Sequence, residues 1–192
     1  MRIGIFGGSF DPIHIGHSMI ANYASQSGVV DEVWIMVSRR NPLKPESTKA
    51  SEKERLEMAK IVAEKCHRVK ASDFEFGLPT PSYSYDTLKA LKKQYPEDEF
   101  VMLIGSDSLQ NLKDWKNYDL IIKDFGLLVY PRPKITIEEW PEGNVKKLEG
   151  CPETDISSTF IRKMIKEGKN INYFVPADVA AYIEKHRIYL KE

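Results

Sequence analysis

The 192-residue chain has only two cysteines, Cys66 and Cys151, too few for a disulfide framework. Both read as small buried apolar residues rather than reactive thiols. An excess of either charge is also missing, since 28 Lys and Arg stand against 28 Asp and Glu for a net charge of zero. A balanced chain is a poor coat for DNA or an acidic membrane, so an anion must be met by a local pocket. No apolar run reaches membrane-spanning length. The N-terminal apolar stretch runs straight into Gly7-Gly8, which is not a secretory signal. Internal repeats, low-complexity tracts and linkers are lacking too. These absences predict one domain over residues 1–192, with no nucleic acid or membrane partner and a cytoplasmic location. Monomer and homo-oligomer are both left open.

What is present is ordinary for a globular protein: 42% hydrophobic and 29% charged residues. A chain of this length buries roughly 70% of its unfolded surface and needs no staple. Short β-rich runs at residues 3–6, 33–37, 69–71, 100–104, 126–130 and 145–148 alternate with helical patterns at 16–27, 51–65, 83–95, 157–167 and 176–186. That alternation predicts an α/β fold with a mostly parallel sheet. The run 100–104 is apolar throughout, which marks a central strand. Ser51-Glu52-Lys53-Glu54 is a capping box that starts the second helix. Between the second strand and that helix lies a loop over residues 38–50, whose Arg39 and Arg40 read as a solvated charge cluster.

The most informative segment joins the first strand to the first helix: Gly7-Gly8-Ser9-Phe10-Asp11-Pro12-Ile13-His14-Ile15-Gly16-His17. Doubly wound folds bind ligands at this place. Paired glycines admit a phosphate close to the backbone, and the amides at a helix start favour an anion. His14 and His17 lie on one face near that helix start, where a polyphosphate would favour their protonated forms. A lone Gly-Gly can be only a turn, and a lone His-x-x-His can cap a helix or hold a metal. All the parts of this string together fit a phosphate cradle.

A second segment, Ile156-Ser157-Ser158-Thr159-Phe160-Ile161-Arg162-Lys163, lies far along the chain. Ser157 is a natural N-cap, which leaves Ser158 and Thr159 in the first turn with free amides. Arg162 lies one turn beyond Ser158 on the same face, so hydroxyls, amides and a guanidinium converge. Phe160, Ile161, Met164 and Ile165 form the apolar side that docks this helix. By itself the segment is a normally capped amphipathic helix with a solvated Arg162.

The first string resembles the signature of the nucleotidyltransferase superfamily, whose His-x-Gly-His is shared with class I aminoacyl-tRNA synthetases. Ile-Ser-Ser-Thr-x-Ile-Arg resembles the companion signature of the same superfamily. Further blocks narrow the likeness: Pro81-Ser82-Tyr83-Ser84-Tyr85-Asp86-Thr87-Leu88, Gly105-Ser106-Asp107 with Trp115, Arg132-Pro133, and Tyr173-Phe174-Val175-Pro176. Together they resemble the bacterial nicotinate-mononucleotide adenylyltransferases over nearly the whole chain. The phosphopantetheine adenylyltransferases share the first motif but not this set of further blocks. The family commonly shows Pro-Pro-His-Lys where this chain has Asn41-Pro42-Leu43-Lys44, so the lysine is retained and the histidine is not.

The resemblance implies a Rossmann-like, doubly wound sheet with helices on both faces. It also implies adenylyl transfer from ATP, carrying a magnesium ion, to nicotinate mononucleotide, with deamido-NAD and pyrophosphate as products. His14, His17, Lys44 and Arg162 would carry the transfer. Gly7, Gly8, Ser9, Phe10, His17, Gly105, Asp107, Ser157, Ser158 and Arg162 would bind ATP, with hydroxyl donors at Ser9 and Ser158. Lys44, Ser84, Trp115 and Lys116 would bind the mononucleotide, with Trp115 stacked on the pyridine ring and no protein metal site. Trp115 is alternatively a half-buried surface aromatic, and Asp107 only a helix cap. A related transferase with another phosphate acceptor, and a nucleotide-binding regulator without catalysis, are the competing readings.

Overall fold

In the computed structural model, residues 1–39 and 50–190 are described. The elements run β1 (Arg2–Gly8), α1 (Ile15–Gln26), β2 (Glu32–Val37), α2 (Glu52–Ala63), β3 (Val69–Ser72) and a 3-10 turn (Phe74–Gly77). They continue with α3 (Ser84–Gln94), β4 (Glu99–Gly105), α4 (Ser106–Gln110), a second 3-10 turn (Leu112–Asp114) and α5 (Tyr118–Asp124). The chain closes with β5 (Leu127–Tyr130), β6 (Val145–Lys147), α6 (Ser158–Lys166) and α7 (Ala177–His186).

All six strands are parallel, in the order β3-β2-β1-β4-β5-β6. This is the order of doubly wound dinucleotide folds. The run 100–104 lies at the centre, as its unbroken apolar character requires. Alternate residues of the strands face opposite sides. Val33, Ile35, Val101, Leu103 and Leu128 pack under α1, α2, α6 and α7. Ile3, Ile5, Phe100, Met102, Ile104 and Val129 pack under α3, α4 and α5.

The register decides where the site can be. β1 pairs with β4 only from Arg2↔Glu99 to Ile5↔Met102, although the strands run on to Gly8 and Gly105. The two strand ends therefore part at the point where the order of winding reverses. β1 stays paired on its other side, through Gly8↔Val37.

Two elements were not legible in the sequence. α4 has five residues and α5 seven, too short for a periodic apolar stripe to show. They form the crossover that a parallel β4–β5 connection needs. The capping box of α2 is formed: Ser51 Oγ accepts from Glu54 N–H at 3.2 Å, and the Glu54 carboxylate accepts from Ser51 N–H at 2.7 Å. No helix among the described residues is long and apolar enough to cross a membrane.

Ile121 of α5 is fully buried between α3 and the sheet. Ile121→Ala is expected to lower unfolding free energy by about 3 kcal/mol in urea titrations, which would show that this short helix belongs to the cooperative core.

Candidate active site

The site is built on the glycine turn that leaves β1. A Cβ on Gly7 would meet no atom within 4 Å, so its backbone borders open space. A Cβ on Gly8 would stand 3.0 Å from the ring of Phe10. Phe10 itself sits at a φ of 48° and turns the chain sharply. Its ring packs edge-on against Phe6 at 5.4 Å and His17 at 5.0 Å, which holds that uncommon backbone angle in place.

His14 is the N-cap residue of α1, and its N–H donates to His17 Nδ1 at 3.2 Å. In the neutral ring that bond puts the His17 proton on Nε2, making it a donor there. The two imidazoles stack at 3.6 Å. His14 is 3% exposed, and its Nδ1 has no hydrogen-bond partner among the described residues. Burial, with Arg132 adding to it, pushes its pKa down to about 4. His14 is thus neutral at pH 7 before any anion arrives, and the protonated form read from the motif is one that a bound polyphosphate would have to favour. The cause of the low pKa is tertiary: burial is invisible in the motif, and Arg132 comes from beyond β5. Gly16 closes this corner, because a Cβ there would stand 2.7 Å from Thr154 and 3.1 Å from the His14 ring.

The second segment docks against the first. Ser157 Oγ caps α6 by accepting from Phe160 N–H at 3.2 Å. Ser158 Oγ donates to Pro12 O at 2.9 Å, so its proton serves the turn itself. Arg162 donates to Asp11 O at 2.5 Å and to Thr159 Oγ1 at 3.2 Å, rather than lying solvated. Ile161 and Ile165 dock the helix. Phe160, expected with them, is 44% exposed and rests edge-on against Phe174.

Beneath the turn lies a charged network that the motifs did not reveal. Asp11 is 2% exposed; its Oδ1 accepts from Tyr189 Oη at 2.7 Å and Ala50 N–H at 3.2 Å. Its Oδ2 lies 3.8 Å from the Arg162 guanidinium. Arg55 is 1% exposed and donates to Ser9 O at 2.7 Å and Ser38 O at 2.8 Å. A signal for Arg55 existed, since it continues the buried stripe of Met58, Ala59 and Val62 at helical spacing. A cation on such a stripe needs buried acceptors.

The remaining walls come from β4, α3 and the turn after α4. Asp107 lies in the first turn of α4, 3.9 Å from Arg132. Arg132 had drawn no role from sequence, though its place at the end of β5 points it towards the same crevice. α3 starts at Ser84 with Tyr83 as N-cap and no side-chain cap, so its first amides are not capped by that residue. Glu75 braces this helix start by accepting from Ser82 and Thr87 hydroxyls, both at 3.1 Å, and burial pushes its pKa up. Lys116 Nζ stands 4.4 Å over the Tyr83 ring and 3.3 Å from Asp86. Arg39, read from sequence as solvated, donates to Phe76 O at 3.2 Å and lines the wall.

One cavity of about 1250 Å³ joins these walls. Gly7, Gly8, Ser9, Phe10, His14, His17, Ser84, Gly105, Asp107, Trp115, Lys116, Ser157, Ser158 and Arg162 all line it. Lys44, Leu43 and Arg40 lie outside the described residues. Among those described, no three His, Cys, Asp or Glu side chains converge as a metal cluster.

A parallel doubly wound sheet whose switch-point crevice carries these two motifs defines a nucleotidyltransferase, and residues 5–164 match the family described as Cytidylyltransferase-like. The chain is 41% identical over 197 residues to the "Probable nicotinate-nucleotide adenylyltransferase" of Flavobacterium johnsoniae, covering 100% of both chains. It is 41% identical over 186 residues to the protein of the same name from Bacteroides thetaiotaomicron, covering 97% of this chain and 92% of that one. The chain belongs to the nicotinate-nucleotide adenylyltransferase family. Its fold is shared with Plasmodium falciparum nicotinic acid mononucleotide adenylyltransferase complexed with NaAD. That likeness has a TM-score of 0.81 at 24% identity and covers 98% of this chain and 97% of the other.

The depressed His14 pKa makes a stability prediction with a definite sign. Between pH 6.5 and about 4 the unfolded chain binds a proton at His14 that the folded chain does not. Stability from this group is therefore complete above pH 6.5 and declines as pH falls towards 4, by at most about 3 kcal/mol. Urea titrations across that range should show a steeper loss in the parent than in His14→Gln.

Proposed function

We propose that the chain transfers the AMP moiety of ATP to nicotinate mononucleotide, giving deamido-NAD and pyrophosphate in NAD biosynthesis. One observation carries the reading: a single cavity is lined both by the glycine turn with His14 and His17 and by Trp115 and Ser84, the first residue of α3. The full-length relatives support it. Residues 1–192 would act as one nucleotidyltransferase domain in the cytoplasm.

The acceptor is a phosphate monoester with a second pKa near 6, so it is largely dianionic at neutral pH. Attack on the α-phosphorus of ATP then needs no general base. Catalysis reduces to aligning two phosphates and stabilising charge on the departing pyrophosphate. The backbone of the glycine turn would cradle the phosphates, and the positive end of α1 would favour their charge. His17 supplies an Nε2 donor, and Arg162, held at the start of α6, supplies fixed positive charge. An incoming triphosphate would raise the pKa of His14 towards protonation. Lys44 would reach a phosphate from its loop. ATP arrives with magnesium bound, and that ion is part of the substrate. Asp107 would accept from a ribose hydroxyl.

At the other end, Trp115 would stack on the pyridine ring. The amides of Ser84 and Lys116 would bind the carboxylate, which an uncapped helix start favours over a neutral amide.

The test is pyrophosphate release with ATP and magnesium, comparing nicotinate mononucleotide, nicotinamide mononucleotide and phosphopantetheine. Strong preference for the nicotinate form is expected. Turnover with phosphopantetheine alone would overturn the acceptor, and nucleotide binding without turnover would leave a regulator. His17→Ala should lower kcat by roughly 100-fold or more with little change in ATP affinity. Trp115→Ala should raise KM for the mononucleotide by about tenfold while sparing that for ATP.

A further inference from the structure

We propose that Arg55 is a positioning residue for the transfer, which aims the Phe10 amide at the bound phosphates by holding the Ser9 carbonyl from behind. The proposal rests on the phosphate-cradle reading of the glycine turn. Arg55 lies on α2 and takes no part in lining the cavity, whereas Ser9 and Phe10 do.

The geometry is that of a brace between two strand exits. The β1–β2 ladder ends at Gly8↔Val37, followed by one bond from Ser38 N–H to Gly8 O at 2.9 Å. Beyond it, one terminal nitrogen of Arg55 donates to both Ser9 O and Ser38 O, and the other to Arg39 O at 3.4 Å. The guanidinium thus replaces the ladder where the strands stop pairing. A buried cation costs several kcal/mol to desolvate, and an apolar residue would complete the stripe of α2 without that cost.

The consequence for the site follows from peptide planarity. In a trans peptide the C=O and the following N–H point in opposite directions. The Ser9 carbonyl points at Arg55, so the Phe10 N–H points away from it, to the side of the turn that borders the cavity. Among the described residues, no backbone acceptor takes that N–H. Phe10 is held at a φ of 48°, so the peptide orientation needs an external restraint. Asp11, with its carboxylate buried in the same layer, provides the opposing charge.

Two measurements test this. On the unsubstituted 15N-labelled protein, magnesium pyrophosphate should shift the Phe10 amide resonance and slow its hydrogen exchange at least tenfold; an unmoved Phe10 amide at saturation overturns the proposal. For catalysis, Arg55→Lys keeps the cation but lacks the planar group and the second nitrogen that reaches Arg39 O, and Arg55→Met suits the apolar stripe. In whichever variant retains the parent circular dichroism, kcat should fall at least tenfold while KM for nicotinate mononucleotide stays within twofold. The loss should be smaller in Arg55→Lys than in Arg55→Met where both fold. A folded variant with kcat within threefold of the parent, or with both KM values raised and kcat kept, makes Arg55 a structural brace only. If the parent releases no pyrophosphate with any acceptor, the functional reading fails, and the Phe10 amide, compared between the parent and a folded Arg55 variant, still reports whether Arg55 aims a phosphate-binding peptide.

Discussion

Beyond Ile5 and Met102 the two central strands no longer pair, and the rest of the site depends on that separation. Parallel strands that reverse their winding direction cannot both cover the same crossover, so their carboxyl ends leave a crevice. Its β1 side ends in Gly7 and Gly8, its β4 side in Gly105 and Asp107. Every other wall is placed relative to these strand ends. α6 is docked by Ile161 and Ile165 and tied to the turn by Ser158 and Arg162, which bond to the carbonyls of Pro12 and Asp11.

The electrostatics follow a single logic despite a net charge of zero. In the proposed reading anions meet a few oriented donors rather than a basic surface: the backbone of the glycine turn, a histidine Nε2 and a guanidinium held by a backbone carbonyl. Burial keeps the resting site modestly charged. His14 is neutral, Asp11 is flanked by Arg162 and Arg55, and Asp107 lies beside Arg132. Donors fixed in this way need no reorganisation when charge develops on the departing group. The buried charges are held by hydrogen bonds, without which the layer beneath the turn would be costly to form.

The acceptor end of the cavity differs in chemistry from the phosphate end. Trp115 and Tyr83 offer ring faces, and α3 begins without a side-chain cap. Glu75 keeps that helix start in place through Ser82 and Thr87. In the proposed reading a flat, anionic ring would meet the Trp115 wall next to a helix start that Tyr83 does not cap, while the phosphates would meet the glycine turn. The family's substrates present those two ends.

Much of this was legible in the residues alone. Six strands, the capping box of α2 and both phosphate motifs are local features, carried by periodicities and turn residues within a few positions of one another. The short α4 and α5 were not, because one or two turns give no stripe to read. Arg55, Tyr189 and Arg132 were passed over as site residues for a different reason. Their partners lie 46 and 178 positions away along the chain for Arg55 and Tyr189, and Arg132 acts on His14 across the crevice. Local sequence thus determined which residue types are available for phosphate chemistry and which segments form strands and helices. Only the tertiary structure decided that His14 is buried and neutral, that Ser158 gives its proton to the turn, and that Arg55 sits behind it. Burial and long-range hydrogen bonding are properties of packed surfaces, and no stretch of sequence contains both sides of one.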